Sequence, residues 1–314
     1  MSVLVTGGAG FIGSHICERL LREGYQVICL DNFDPYYAPN LKRDNIEPLL
    51  ASKKFKLIEG DIREQKLVNE VIGQDIEYIF HYAAQPGVRA SIENPLKPHE
   101  VNATGMLNIL QAYLNSNVKK LINASSSSVY GKNLYLPFDE AHPTSPISPY
   151  GVSKLMAEHY CRVFSEIHGL NITSLRLFTV YGPRMRPDLA ISIFTTRALK
   201  NETIEIFGDG SKTRDFTYID DVVEANLLAM RKDGSEVYNI GSGSRISVNE
   251  LAEKIIKLLD SKSRIIYTHP QRGDAEHTWA NTDKAKKELG WKPNTTLEQG
   301  LESMTNWARL RHNL

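Results

Sequence analysis

The chain has 314 residues, enough for one large or two smaller domains with a substantial apolar core. Lys plus Arg and Asp plus Glu each number 37, so the formal charge is zero, which excludes a global basic field for nucleic acid or an anionic membrane. No apolar run nears the roughly 18 residues needed to span a bilayer, and MSVLVTGGAG lacks the features of a signal peptide.

The first half alternates strand and helix patterns. SVLVTGG is a short β-rich run ending in glycine. FIGSHICERLLREG follows with Ile12, Ile16, Leu20 and Leu21 on one helical face, and Gly24 stops it. QVICLDN reads as a second buried strand and KFKLIEGD as a third. IREQKLVNEVIG is helical, and IEYIFHYAA is a fourth strand. A helix from Val101 to Asn115 precedes VKKLINASSS, the fifth strand. Another helix, Ser153 to His168, leads to NITSLRLF, the sixth. This alternation predicts a doubly wound parallel sheet covered on both faces, an α/β fold of the Rossmann kind. The long loop from Asn32 to Lys54 is either a functional loop or a peripheral insertion carrying one short helix.

TGGAGFIGSH places Gly7, Gly10 and Gly13 between the first strand and the first helix. Gly7 permits the tight turn, Gly10 lets a pyrophosphate approach the backbone, and Gly13 lets helix and strand pack closely. The helix amino terminus, at Phe11 and Ile12, offers amides and a positive dipole end to phosphates. Asp31 ends the second strand, where a carboxylate accepts ribose hydroxyls and repels a 2′-phosphate, and no arginine follows it directly. The pattern therefore points to NAD rather than NADP. Asp61, ending the third strand, has two compatible roles: accepting the adenine amino group, or capping the next helix through the D-I-R-E pattern.

Three cysteines, Cys17, Cys29 and Cys161, are too few and scattered for a disulfide framework or a zinc site, and favour a reducing, cytoplasmic setting. The nine histidines show no HxxxH or HExxH spacing, and no carboxylate cluster suggests a divalent metal, so no metal is expected.

YGVSK places Tyr150 and Lys154 one helical turn apart, so both side chains leave one face. A lysine beside a phenol can lower its pKa and make it a proton acceptor near neutral pH. Six segments in order, TGGAGFIG, DN at 31–32, HYAAQ, SSSSVYG, YGVSK and RDFTYIDD, resemble the extended short-chain dehydrogenase/reductases over essentially the whole chain. The resemblance implies that Tyr150 is the catalytic base, that Lys154 binds the nicotinamide ribose and depresses the phenol's pKa with the nicotinamide charge, and that Ser126 is the third member. It also places Asn32, Ile62, Ala83 and Ala84 beside the dinucleotide. DNFDPYYAPNLKRDNIEPL, AAQPGVRASIENP and FTVYGPRMRPDLAISIFT resemble the UDP-glucuronate 4-epimerase branch, with Pro86 where alanine is more usual and with Gln85, Gly87 and Arg89 kept.

Such enzymes oxidise C4 of a nucleotide sugar and diverge at the 4-keto stage. Elimination needs a general acid and base, and the resemblance places Asp-Glu directly after the catalytic hydroxyl. Here those positions are Ser127 and Ser128, neither a competent base near pH 7. The glutamate of related decarboxylases is absent too. Rotation of the keto sugar and return of hydride to its other face is the simplest remaining outcome. A 4-keto glucuronate is a β-keto acid prone to lose carbon dioxide, so its carboxylate must be held out of alignment. Ser127, Ser128 and Thr179 are the candidates, holding it without a fixed cation buried against it; Thr179 is expected at the end of the sixth strand, and is equally suited to a purely β-strand role.

After Gly182 the pattern changes to shorter elements. TIEIFGDGSKTRDFTY reads as a strand, a glycine turn and a second strand or loop, and RGDAEHTWANTDKAKKELGW as a loop and a helix. A nucleotide-sugar-binding domain at 175–314 is expected to follow a dinucleotide-binding domain at 1–174, with about 217–240 returning to the first. The resemblance puts Arg214 and Arg272 on the diphosphate, where two guanidinium groups meet a doubly charged anion. It puts Arg186 on the nucleotide or the sugar, and Asp274 on the nucleotide ribose. Asp220 and Asp221 read better as caps of VVEANLLAM. The helices 101–115 and 153–168, carrying Met106, Leu110, Tyr113, Met156, Tyr160, Val163 and Phe164, pair across a twofold axis in this family to form a homodimer, although the same residues suit packing on the sheet.

Overall fold

The computed structural model describes residues 1–270, 273 and 275–312. In chain order the first elements are β1 (Ser2–Thr6), α1 (Phe11–Arg22), β2 (Gln26–Asp31), α2 (Pro39–Ile46), β3 (Phe55–Glu59), α3 (Gln65–Ile72) and β4 (Ile76–His81). Next come α4 (Val88–Glu93), α5 (Leu96–Pro98), a π-helical segment His99–Thr104, α6 (Gly105–Leu114), β5 (Lys120–Ser126), α7 (Pro149–His168) and β6 (Ile172–Leu177). The remainder is β7 (Thr179–Tyr181), α8 (Ala190–Leu199), β8 (Ile204–Phe207), β9 (Thr213–Arg214), β10 (Phe216–Tyr218), α9 (Ile219–Arg231), β11 (Glu236–Ile240), β12 (Ile246–Ser247), α10 (Val248–Leu258), β13 (Ile265–Thr268), α11 (Asp283–Leu289) and α12 (Leu297–His312).

Seven strands form one sheet in the order β11-β6-β5-β4-β1-β2-β3, and every pairing in it is parallel. Parallel strands need crossover helices, and these cover both faces, so the central strands β1, β5 and β6 are buried along most or all of their length rather than alternating. The two-residue period still sorts side chains between the layers. Val3 and Val5 of β1 join Ile16 and Leu20 of α1 and Val222 of α9 on one face. Leu4 joins Val68 of α3, Met106 and Leu110 of α6, and Ala157 of α7 on the other. Each such leucine or valine, fully buried, contributes about 1.5–3 kcal/mol. Met106, Leu110 and Tyr113 thus face the sheet, with Tyr160 and Phe164 packed against the same cluster.

β1 lies between β2 and β4, so the connections after β1 and after β3 leave it in opposite directions. A crevice opens at the carboxyl ends of the strands at that switch point. The second half covers this end with two-stranded pairs, β7 with β10, β9 with β12, and β8 with β13. β11 returns to the large sheet beside β6, and the 174/175 position falls inside β6.

Several local expectations are corrected. α7 begins at Pro149, with Ser148 accepting a bond from the Gly151 amide, because proline suits a first helical position. Residues 101–104 belong to a π-helical turn rather than to an α-helix. Asp61 does not cap α3, whose first turn starts after Glu64; its Oδ1 accepts the Arg63 amide instead. Asp220 and Asp221 lie in the first turn of α9, after Tyr218, and neither caps it. Asp221 accepts from the amides of Asn294 and Thr295 and so ties α9 to the approach to α12. Thr179 starts the separate strand β7, its amide bonded to the Asp215 carbonyl, rather than ending β6. The 32–54 segment holds α2 and a short 3₁₀ turn.

His81 pairs with Thr6 in register, and its Nδ1 shares a 2.8 Å hydrogen bond with Thr6 Oγ1. Burial, then the nearby Lys154 charge, lowers its pKa to about 3. Between that value and about 6.5 the unfolded chain binds a proton that the folded chain refuses, so stability falls as pH falls. Going from pH 7.5 to 5.5, wild-type protein should lose about 1.4 kcal/mol more stability than His81→Asn, measured by urea unfolding. Equal losses would contradict the assignment.

Candidate active site

A cavity of about 800 Å³ follows the carboxyl ends of the strands. Gly7, Gly10, Phe11, Ile12 and Gly13 line one end, with Asp31, Asn32, Asp61, Ile62, Ala83 and Ala84 beside them. Ser126, Tyr150 and Lys154 line the middle, with Gln85, Ser127, Ser128 and Thr179. Arg89, Arg186 and Arg214 line the part under the second half. The structure therefore brings every described candidate to one cavity. Arg272 and Asp274 lie outside the described residues.

The glycine turn is shaped by close approach. Gly7 has φ of +68°, and a Cβ there would meet the Ala83 amide nitrogen at 2.6 Å. A Cβ on Gly13 would lie 2.2 Å from the Gly7 carbonyl oxygen. No side chain caps α1 at Gly10, so the helix amino terminus stays open to the cavity. Asp31 is buried; Oδ2 accepts from the Ala9 amide at 3.1 Å and Oδ1 from Phe33 at 2.9 Å. Each oxygen keeps a lone pair for a further donor. Burial raises the Asp31 pKa, opposed by Lys42 and by these amides. For Asp61 burial also pushes upward, but Arg63 and Asn32 outweigh it and bring the pKa to about 2. Its Oδ2 already receives Arg63 at 2.7 Å and Asn32 at 2.8 Å, so an adenine amino group would have to share that carboxylate.

At the centre, α7 lies along the end of β5. Lys154 Nζ donates to the Ala124 carbonyl at 2.8 Å. Ser126 lies near enough to the Tyr150 phenol to lower its pKa, and its Oγ accepts the Ser128 amide at 3.1 Å. Burial lowers the Lys154 pKa to about 8, against the raising influence of Glu158. The Tyr150 pKa is raised, not depressed: burial dominates, and Arg186 and Ser126 only partly offset it. Arg186 is the positive charge that lowers the phenol's pKa against burial, while the Lys154 ammonium points its hydrogen bond at the Ala124 carbonyl.

The Arg186 guanidinium lies close enough to Tyr150 to affect it and is bonded to Asp188 at 2.9 and 3.0 Å. Tyr36 donates to the same Asp188 at 3.0 Å, and the Arg186 guanidinium sits 5.6 Å from the Tyr36 ring centre. The segment after β2 thereby reaches the segment after β7 across the cavity. Arg89 packs 4.5 Å from the ring centre of Phe207, and Arg214 donates to the carbonyls of Thr213 and Glu276.

Sequence reasoning missed Asn102, which accepts the Gln85 amide at 2.7 Å and donates to Ser153 at 2.8 Å, joining the strand β4 exit to α7. It missed Tyr36 and Asp188 as a bridge, Glu158, and Arg176. Glu158 had a visible signal, lying four residues beyond Lys154 on the same helical face. Among the described residues no group of three or more His, Cys, Asp or Glu side chains is placed to hold a metal.

A family profile described as GDP-mannose 4,6 dehydratase matches residues 4–304. The chain belongs to this family of extended short-chain dehydrogenase/reductases. It is 38% identical to a UDP-glucuronate 4-epimerase of Thermodesulfobacterium geofontis, over 98% of this chain and 95% of that one. Among solved structures, a Bacillus cereus UDP-glucuronic acid 4-epimerase in complex with UDP-glucuronic acid and NAD superposes with a TM-score of 0.94 at 36% identity, covering 99% and 100% of the two chains. A Thermotoga maritima UDP-glucose 4-epimerase with UDP-glucose gives 0.93 at 37% identity, again covering 99% and 100%. A dehydratase is the family's namesake, yet serines follow Ser126 here.

The Gly13 approach yields a direct test. Gly13→Ala must displace backbone, since its Cβ would fall 2.2 Å from the Gly7 carbonyl oxygen and 2.8 Å from Gly8 Cα. Urea unfolding should show a loss of about 1–3 kcal/mol. Unchanged stability would show that α1 is not held so close to the turn.

Proposed function

We propose that this protein is an NAD-dependent nucleotide-sugar 4-epimerase interconverting UDP-glucuronate and UDP-galacturonate. One observation carries the reading: Ser126, Tyr150 and Lys154 share a cavity with the glycine turn and Asp31, while the positions after Ser126 offer only hydroxyls. Relatives on both sides of the sugar question support the 4-epimerase chemistry.

The residues fit NAD. The open amino terminus of α1, with the close glycine contacts, suits a pyrophosphate, and Asp31 suits the ribose hydroxyls. Bound nicotinamide supplies a reversible two-electron acceptor for C4 of the sugar. Lys154 would hold the adjoining ribose and would place a positive charge beside it. Tyr150 takes the proton from the sugar 4-hydroxyl as the 4-keto sugar forms, and Ser126 shares that hydrogen bond. After the keto sugar turns, Tyr150 gives the proton back. Burial raises the phenol pKa against Arg186, so further positive charge beside Tyr150 would favour its role as base.

Ser127, Ser128 and Thr179 hold the sugar carboxylate by hydroxyls, keeping its C–C bond away from alignment with the ketone. Neither Ser127 nor Ser128 is a base that removes a C5 proton, so elimination has no agent at those positions. Arg89, Arg186 and Arg214 surround the sugar and diphosphate; Arg272 and Asp274 complete the nucleotide end in this proposal. Gln85 borders the sugar. The chain divides functionally into a dinucleotide half and a nucleotide-sugar half, near 174/175, with about 217–240 in the first. We further propose a cytoplasmic homodimer: its three buried thiols are free, and Val152 and Ile167 of α7 are exposed.

Incubation with UDP-glucuronate and NAD should give UDP-galacturonate without a pentose nucleotide or carbon dioxide. Tyr150→Phe should lower turnover by about 10²–10⁴-fold while NAD still binds. Faster conversion of UDP-glucose to UDP-galactose would transfer the assignment to that sugar, and carbon dioxide release would make the protein a decarboxylase. An active Phe variant would remove Tyr150 from its role.

A further inference from the structure

Glu158 is a buried carboxylate that the mechanism above leaves without a task. It lies one turn beyond Lys154 and two beyond Tyr150 on α7, so the three side chains share a face. Its partners come from two strands. Ser125 of β5 donates to Oε1. Arg176 of β6 donates from Nη2 to Oε2 at 2.8 Å and from Nε to Oε1 at 3.0 Å. Arg176 is itself fixed, donating from Nη1 to the Tyr130 phenol at 3.0 Å and to the Glu140 carbonyl at 3.3 Å.

Ala124, Ser125 and Ser126 are consecutive, and they meet Lys154, Glu158 and Tyr150 respectively. Glu158 thus anchors the middle contact of the register that sets the other two. Arg176 and Ser125 satisfy both oxygens of this deeply buried carboxylate, which would otherwise be costly to bury. We propose that Glu158 is a positioning residue acting through Lys154: held by Arg176 and Ser125, its carboxylate fixes α7 on β5 and keeps a positive charge on the buried ammonium. This deepens the epimerase reading and rests on it for its catalytic meaning.

The charged surroundings of Lys154 make Glu158 the main favourable neighbour. On α7, Cys161 acts in the same direction as Glu158 and Tyr150 lies one turn before. From β4, the buried His81 faces the ammonium and is itself held neutral at physiological pH. From β6, Arg176 is spent on Glu158 and Tyr130. Burial alone draws the ammonium toward neutrality, and Glu158 is first among the groups opposing it.

The test is a titration of the Lys154 ε-carbon signal in protein carrying ¹³C-labelled lysine, assigned by its disappearance in Lys154→Met, and read without NAD or substrate. In Glu158→Gln the midpoint should fall by about one pH unit relative to wild type. The alkaline limb of the kcat/KM profile should move down in step, whereas a merely structural role would lower activity uniformly across pH. The paired variant E158M/R176M removes both members of the ion pair, so its midpoint should fall in the same direction but by less, and this can be read even if Glu158→Gln does not fold. An unchanged midpoint in the folded variant would overturn the proposal. A shifted midpoint in a wild-type protein that epimerises no nucleotide sugar would instead sink the functional reading and leave the Glu158–Lys154 coupling standing.

Discussion

The end of β5 held against one face of α7 is the contact on which the site depends. Ala124 offers a carbonyl, Ser125 a hydroxyl, and Ser126 a second hydroxyl, and α7 answers with Lys154, Glu158 and Tyr150 at intervals of one turn. A strand advances about 3.3 Å per residue and a helical turn about 5.4 Å, so the pairing holds only while the two elements keep one angle and one register. Both come from elsewhere: all seven residues of β5 are buried in the sheet, and α7 is started at a fixed residue by Ser148 and Pro149. The fold's job at this point is to keep these three pairs facing one another.

Burial dominates the electrostatics of the cavity. It raises Tyr150, raises Asp31 and lowers Lys154, each time against the ionised form. Charged partners then restore function selectively, Glu158 for Lys154 and Arg186 for Tyr150. Arg186 is held in turn by Asp188, which Tyr36 also reaches. Groups from both halves of the chain therefore set the charge at one phenol, although β5 and α7 alone supply the reactive side chains.

Much of this was legible in the sequence because it depends on local pattern. The glycine spacing, the apolar strands and the Tyr150–Lys154 interval each express a short-range constraint: a close approach, a two-sided burial, one helical turn. What escaped depends on long-range pairing. D-I-R-E resembled a cap, but Arg63 folds back on Asp61 and the helix waits until Gln65. Thr179 resembled the tail of a strand, but the Asp215 carbonyl draws it into another sheet. The Tyr150–Lys154 interval signals one helical face, but not the burial of the phenol, which opposes any phenolate and which only the folded cavity shows. Glu158 carried the right spacing, yet its value rests on Arg176, eighteen residues away and on another strand.

The central claim is that C4 of the sugar is oxidised and restored within one closed site. The most direct measurement follows a deuterium placed at C4 of UDP-glucuronate through conversion to UDP-galacturonate in ordinary water. The account predicts that the label remains at C4 of the product, because the same electron pair and hydrogen leave and return without meeting solvent. Loss of the label to water during epimerisation would show that C4 inverts by proton exchange, and would contradict the account.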